Sequence, residues 1–296
     1  MVENTSRKKE QGELDELFER VGMYSKGKDL HELFKFIRKF RKMAPYNAML
    51  LHIQRPGSIY VASADDWETR FNRSVKPEAR PLVLLKPFGP VKFVFDVQDT
   101  DGTEPFPEEI LEPFKIPDEE HAEECGNALN KLISRLAADG ISYHESNDGS
   151  ASAGRIQRAD IMNHRKQYGK FMMNIKYNLI VNQNLGVMER FVTVIHELGH
   201  LFCGHLGTPD ENRWIDRSCI ESRTIREFEA ESVSWLVCAR MGIDSKSEKY
   251  LSGYLEEKVP IPQISLDQVL KAAGMIEARI NSYVSPCKKL IDSILK

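Results

Sequence analysis

The apolar residues of this chain change period several times, and each change marks an element. In residues 29–42, Leu30, Leu33, Phe34 and Ile37 recur at i, i+3, i+4 and i+7, which predicts an amphipathic helix. Residues 13–20 suggest a shorter, charged helix before it. After Pro45, residues 46–54 continue as helix. The spacing then shortens: residues 81–87 and 91–97 are rich in Val, Leu and Phe and read as paired strands, with Phe88-Gly89-Pro90 as the turn between them. Residues 177–182 (YNLIVN) read as another strand, with Leu179 and Val181 on one face. Residues 191–202 return to a helical spacing, and so do residues 224–242. The latter carry an apolar stripe of Phe228, Trp235, Leu236 and Ala239 and stop at Gly242, with Arg240 in the last turn. A last helix is predicted from Ser265, where Ser265 and Gln268 have capping-box spacing and Val269, Leu270, Ala273, Ile276 and Ile280 share a face. Together these elements predict an α+β chain: a small N-terminal α/β domain, then a domain with a strand and several helices.

Charge divides the chain at similar places. Residues 1–97 carry 18 Lys and Arg against 13 Asp and Glu. Residues 98–120 carry one Lys against nine acids and are rich in proline, so they read as an exposed linker or arm. Residues 121–296 balance at 22 against 22. The expected organisation is therefore an N-terminal domain over 1–97, a linker over 98–120 and a second domain over 121–296.

The chemistry concentrates in one run, His196-Glu197-Leu198-Gly199-His200. Residues four apart stack on one face of a helix, so both imidazoles can reach one metal ion, and Glu197 can reach a water on that ion. H-E-x-x-H on a helix is the spacing of zinc peptidases, with two histidine ligands and a glutamate as general base. Val194, Ile195, Leu198, Leu201 and Phe202 supply enough apolar surface to bury this helix. The polar trio then needs partners inside the protein, and a metal ion satisfies all three at once. Gly199 weakens a helix by roughly 1 kcal/mol against Ala, so close approach of another backbone or of substrate is its expected reason.

A catalytic zinc has a third protein ligand. The helix over 224–242 offers Glu227, Glu229 and Glu231. Glu227 and Glu231 share a face, whereas Glu229 points about 160° from Glu227. One arrangement has Glu227 on the metal and Glu231 accepting the free ring N–H of a liganding histidine. The alternative for Glu227 is a capping box with Thr224. Glu229 then reads as a surface or supporting group. For stabilising an oxyanion, Tyr177, Arg223, Tyr250 and Tyr254 are candidates. His205 lies about 140° from His200 on a continuing helix, so it is expected to point away as a structural residue.

H-E-L-G-H followed by E-x-E-A-E on a second helix resembles the ImmA/IrrE-type metallopeptidases, and most of all the peptidase domain of ArdC-like antirestriction proteins. The resemblance spans roughly residues 120–255. It implies a gluzincin-like fold with a short mixed sheet, and zinc (Zn2+) held by His196, His200 and Glu227, with Glu197 as general base on the zinc-bound water. It also implies that residues 177–182 form a cleft-edge strand that pairs with extended substrate. Residues 46–51 (YNAMLL), Gln54-Arg55-Pro56, Trp67 and the paired strands ending at Asp96-Val97 are similar to the ArdC-like N-terminal domain, which is associated with single-stranded DNA. Lys35, Arg38, Lys39 and Trp67 are the residue types such binding uses: cations for the backbone and an aromatic for stacking.

The remaining features constrain partners and compartment. No run of 18 apolar residues occurs, so no membrane partner is expected. The first ten residues lack an apolar signal core. Five scattered cysteines argue against a disulfide framework and for reduced thiols. The expectation is a cytoplasmic zinc metallopeptidase acting on a specific protein or peptide substrate. The alternative is a single-stranded DNA-binding antirestriction or regulatory protein in which the metal site is mainly structural.

Overall fold

A computed structural model describes residues 27–86, 89–103, 118–147, 152–159, 165–168, 171–243, 251 and 261–281. The chain is α+β and divides into two compact units, residues 1–114 with 258–261, and residues 115–257 with 262–296. The helix expected over 13–20, the turn at Phe88, Tyr250, Tyr254 and Cys287 lie outside the described residues.

In the first unit, helices α1 (Gly27–Lys39) and α2 (Pro45–Gln54) follow the predicted spacing, with Pro45 opening α2 at a position where its missing N–H costs nothing. Strand β1 (Val61–Ala62) leads into α3 (Ala64–Phe71), capped by Ser63, whose hydroxyl accepts from Asp66 N–H. Strands β2 (Arg73–Val75), β3 (Leu82–Lys86), β4 (Gly89–Asp96) and β5 (Thr100–Gly102) complete the unit. β4 is central in an antiparallel sheet of order β1-β4-β3, and β2 pairs with β5. Leu82, Leu84 and Val94 face Phe36 and Leu51 of the helices as the core. The boundary expected at residue 97 therefore moves. Residues 97–99 form a 3-10 turn, and Thr100–Gly102 pair with β2, so the first acidic residues of the expected linker belong to this fold.

Strand β3 is an edge strand, and helix α2 closes that edge with two side-chain amides. Asn47 donates to Leu85 O and accepts from Leu85 N–H, while Gln54 does the same for Val83, at 2.8–3.0 Å. Each amide takes the place of a neighbouring strand, which blocks further pairing along the edge. Gln54→Leu keeps size and helix propensity but leaves Val83 without a partner. The expected result is a loss of about 1–3 kcal/mol in urea denaturation, with faster hydrogen exchange at the Val83 amide. Unchanged exchange would show that the amide does not guard this edge.

Among the described residues, the second unit packs four helices around one core: α4 (Asp118–Leu136), α5 (Val187–Phe202), α6 (Arg223–Met241) and α7 (Leu266–Ile280). Fully buried Phe191, Phe202 and Phe228 each contribute about 1.5–3 kcal/mol through burial. Between α4 and α5 run β6 (Ile141–Ser146), β7 (Gly154–Arg158), β8 (Arg165–Tyr168), β9 (Phe171–Asn174) and β10 (Tyr177–Asn182). β8 and β9 form a separate two-stranded pair. The other three make a mixed sheet of order β6-β10-β7, with β10 parallel to β6 and antiparallel to β7. β10 is thus the central strand, not the cleft edge. Its sequence hides this, because Tyr177, Leu179 and Val181 show only that one face is buried. Among the described strands, the edges of this sheet are β6 and β7.

Two capping expectations also change. Helix α6 begins after Ser222, whose side chain accepts from Ile225 N–H, so Thr224 is inside the helix and forms no capping box with Glu227. Ser265 precedes α7 without a side-chain cap; its backbone N–H goes to Glu229 instead. Gly242 ends α6 in the left-handed region, as its sequence position predicts.

Candidate metal centre

The site forms where α5 and α6 touch. Gly199 permits that contact: a Cβ there would lie 3.2 Å from the backbone Cα and O of Ala230 and 3.3 Å from Val233 Cβ. The close approach expected of this glycine is therefore to helix α6. It brings Glu227, half-buried near the start of α6, over the exposed end of the His196–His200 face. His196 Nε2 and His200 Nε2 each lie 3.5 Å from the same oxygen, Glu227 Oε2. The two rings stand nearly perpendicular, with centroids 4.9 Å apart.

Those distances provide a test of fit for a metal ion. Zinc ligands at roughly 2.0–2.1 Å in tetrahedral geometry sit about 3.4 Å from one another. Both nitrogen-to-oxygen separations match that distance, and the three ligand atoms all lie within 4.8 Å of one another. The donor set, two imidazoles and one carboxylate, also suits such an ion. The electrostatics agree. Hydrogen bonding from His196 and His200 holds the Glu227 carboxyl far below its usual range, so it is an anion. Burial opposes charge on His196, but Glu227, Glu231 and Glu197 outweigh it and raise its pKa. A cation between these groups meets anionic oxygens and ring nitrogens.

Around this trio the other candidates separate. His196 Nδ1 is 3.5 Å from Glu231 Oε1, so Glu231 stands beside the ring nitrogen that faces away from Glu227. Glu197 turns toward the sheet. Its Oε2 accepts from the backbone N–H of Ile156 at 2.9 Å, which holds the carboxylate against edge strand β7. Gly154 is required for that approach, since a Cβ there would lie 2.7 Å from Thr193 Cγ2 on α5. Arg223 is well exposed, with Nε 3.5 Å from Glu227 Oε1. Tyr177 is buried and donates to Gly207 O, so it is spent on the loop after α5.

One residue differs from expectation, and another takes the second of the two roles left open for it. His205 does not point away. Helix α5 ends at Phe202, and Gly204 turns the chain back at φ +83°, where a Cβ would meet Ile215 O. The 100° step that governs a continuing helix no longer applies. The His205 ring meets that of His200, Nδ1 to Nδ1 at 3.0 Å. Glu229 is not a surface group. It is fully buried and binds His205, Arg217 and Ser265. Cys203, His205 and Glu229 also lie close enough together to suggest a second metal site. Arg217 excludes that reading: its guanidinium occupies both Glu229 oxygens, and burial keeps the Cys203 thiol protonated.

In the first unit, Lys35 and Lys39 are exposed on α1, with Arg38 half-buried between them. Trp67 is fully buried. Its Nε1 donates to Phe95 O at 2.9 Å, and Tyr60 and Phe71 pack on the ring with centroids 5.7 and 5.1 Å away. The stacking role expected of Trp67 is corrected: it is a core residue with no free face for a base.

A histidine-bearing helix, a second helix that offers carboxylates and a mixed sheet with an open edge define a metallopeptidase-like domain. Comparison with known proteins agrees over the same residues: 152–239 match the family model of the IrrE N-terminal-like domain, Peptidase_M78. No curated protein matches the chain. Among solved structures, the chain is similar to the antirestriction protein ArdC from plasmid R388 in its Mn(II)-bound form. That match has 15% identity and a TM-score of 0.33, covering 80% of this chain and 88% of that one. No helix among the described residues is long and apolar enough to cross a membrane. Cys125, Cys203, Cys219 and Cys238 are free thiols.

Proposed function

We propose that the chain is a zinc-dependent peptidase acting on a specific protein or peptide, with His196, His200 and Glu227 as the metal ligands. The observation that carries this reading is the convergence of both Nε2 atoms on one oxygen of Glu227, with the Glu197 carboxylate alongside. When bound, such an ion polarises a carbonyl and acidifies a water molecule. The remaining chemistry belongs to the chain. Glu197 takes the proton of the attacking water, with Ile156 N–H fixing one carboxylate oxygen and leaving the other for the proton. Glu231 orients the His196 ring. Arg223, beside Glu227 and open to solvent, is the cation we assign to the developing oxyanion. Edge strand β7 suits an extended peptide: Ile156 N–H is taken by Glu197, but the backbone of Arg158, of the same parity, also points out of the sheet. A cytoplasmic location accords with the free thiols.

Metal analysis of purified His196→Ala and Glu227→Ala proteins tests the ligand set. Zinc content should fall well below one equivalent in each. Full retention in both variants would remove the assignment.

A second reading, single-stranded DNA binding by the first unit, keeps Lys35, Arg38 and Lys39 but loses Trp67. A cavity of about 490 Å3 in that unit is lined by Arg55, Lys76 and Arg80. Two of these cations are already paired, Arg55 with Asp99 and Lys76 with Asp101, which weakens the case for a phosphate track.

A further inference from the structure

Behind His200 runs a hydrogen-bonded chain that the peptidase reading does not use. His200 Nδ1 lies 3.0 Å from His205 Nδ1. The far nitrogen of His205, Nε2, lies 2.7 Å from Glu229 Oε2. Arg217 binds both Glu229 oxygens at 2.7 Å, and Ser265 N–H adds a third donor at 2.7 Å. The side chains of His205 and Glu229 are 2% and 0% exposed, so water does not substitute for any of these partners.

The proton positions along this chain follow from one end. Glu229, held by a guanidinium and a backbone N–H, is a carboxylate and can only accept. His205 Nε2 must therefore carry the proton that points at it. A neutral His205 then has a bare Nδ1, which can only accept, so the proton between the two rings belongs to His200 Nδ1. That leaves His200 Nε2, the atom facing Glu227, with a free lone pair. We propose that His205 and Glu229 are positioning residues that fix the His200 proton on Nδ1 and so prepare Nε2 as a metal ligand. The proposal rests on the metal-site reading above and extends it to residues outside the H-E-x-x-H run. In metal sites generally, the group that accepts a liganding histidine's other N–H sets both ring orientation and tautomer. Here a second histidine occupies that place and passes the constraint to a buried, ion-paired carboxylate.

The test is Zn2+ affinity of the full chain, read by competition with a chromophoric chelator. His205→Phe fills the space and makes no hydrogen bond; the expected loss is about 10- to 100-fold in Kd. His205→Gln presents an amide oxygen to His200 and an amide N–H to Glu229, and should recover most of that loss. Unchanged affinity in His205→Phe would overturn the proposal, as would equal loss in both variants, which would point to packing rather than to the proton. If His205→Phe does not fold, long-range 1H–15N correlation on the Zn2+-loaded native protein decides. The expected pattern is a proton on His205 Nε2 and a bare Nδ1; a protonated Nδ1 on His205 overturns it. Native protein that binds Zn2+ no better than His196→Ala would sink the metal site itself and this proposal with it.

Discussion

Glu197→Gln is expected to leave metal content intact and to lower peptide hydrolysis by about 10²- to 10⁴-fold. The substitution is close to isosteric. The carbonyl of the substituted amide can still accept from Ile156 N–H, so the side chain has no reason to leave edge strand β7. It removes only the charge and the basicity. Glu197 is not one of the three groups that converge as ligands, so zinc should remain. With the substrate unidentified, the first measurement is comparative proteomics of cells carrying the native chain or the Glu197→Gln variant. A specific protein cleaved only by the native chain then serves for kinetics. Identical fragments in both cells, or full activity of the variant on that protein, would remove the general-base role. Loss of metal from the variant would instead mean that Glu197 helps hold the ion.

The parts of this site that are legible in the sequence are those governed by local geometry. His196, Glu197 and His200 lie within about one helix turn of each other, and a period of 3.6 residues fixes the shared face of the two histidines. The same period separates Glu227 and Glu231 from Glu229. Nothing local says that Glu229 is buried, because its burial depends on Arg217 arriving from a loop and on the N–H of Ser265 arriving from the start of α7. The position of His205 is hidden for a related reason. The angle argument assumes a helix that continues, and the helix stops at Phe202, with Gly204 in the left-handed region. A glycine four residues past His200 is the available signal for that stop.

The fold shows the same division. The spacing in α1, α5 and α6 and the paired strands β3 and β4 are legible, because each element buries one face and repeats it. Pairing order is not. β10 carries the apolar alternation of a strand buried on one face, and such a strand can be central or at an edge; only the neighbours β6 and β7 decide. For Trp67, residue type alone suggests a stacking platform. An indole beside Asp65 and Asp66 looks exposed in sequence, yet Ser63 caps the helix so that these acids face out and the ring faces in. The residues Asn47 and Gln54 contribute to the resemblance with ArdC-like N-terminal domains, and closing the edge of β3 gives them a structural reason that needs no nucleic acid.

The largest stability effect is expected at Asp139, away from the metal centre. Asp139 closes the 3-10 turn after α4, and its carboxylate is almost fully buried. Arg279 of α7 binds it through Nε and Nη2, the latter at 2.8 Å, and Arg213 of the loop between α5 and α6 binds it as well. Arg279 also lies over the ring of Phe202, 4.6 Å from its centroid, at the end of the helix that carries both histidines. One carboxylate thus ties together the end of α4, the loop after α5 and the C-terminal helix. Asp139→Asn keeps the shape and one acceptor but removes the buried negative charge that Arg279 and Arg213 share. Breaking a buried pair from one side costs about 3–5 kcal/mol, a large share of the roughly 5–15 kcal/mol that holds a typical protein folded. At about 2–4 °C per kcal/mol for a domain of this size, the melting temperature should fall by about 6–20 °C. The exposed pair Lys271–Asp267 on α7 gives the contrast, since Lys271→Ala removes a solvent-screened contact and should change stability by less than about 1 kcal/mol. The separation between the two variants is what matters. If Asp139→Asn melts with Lys271→Ala and the native protein, the carboxylate does not neutralise Arg279, and the three elements it joins are held by apolar packing alone.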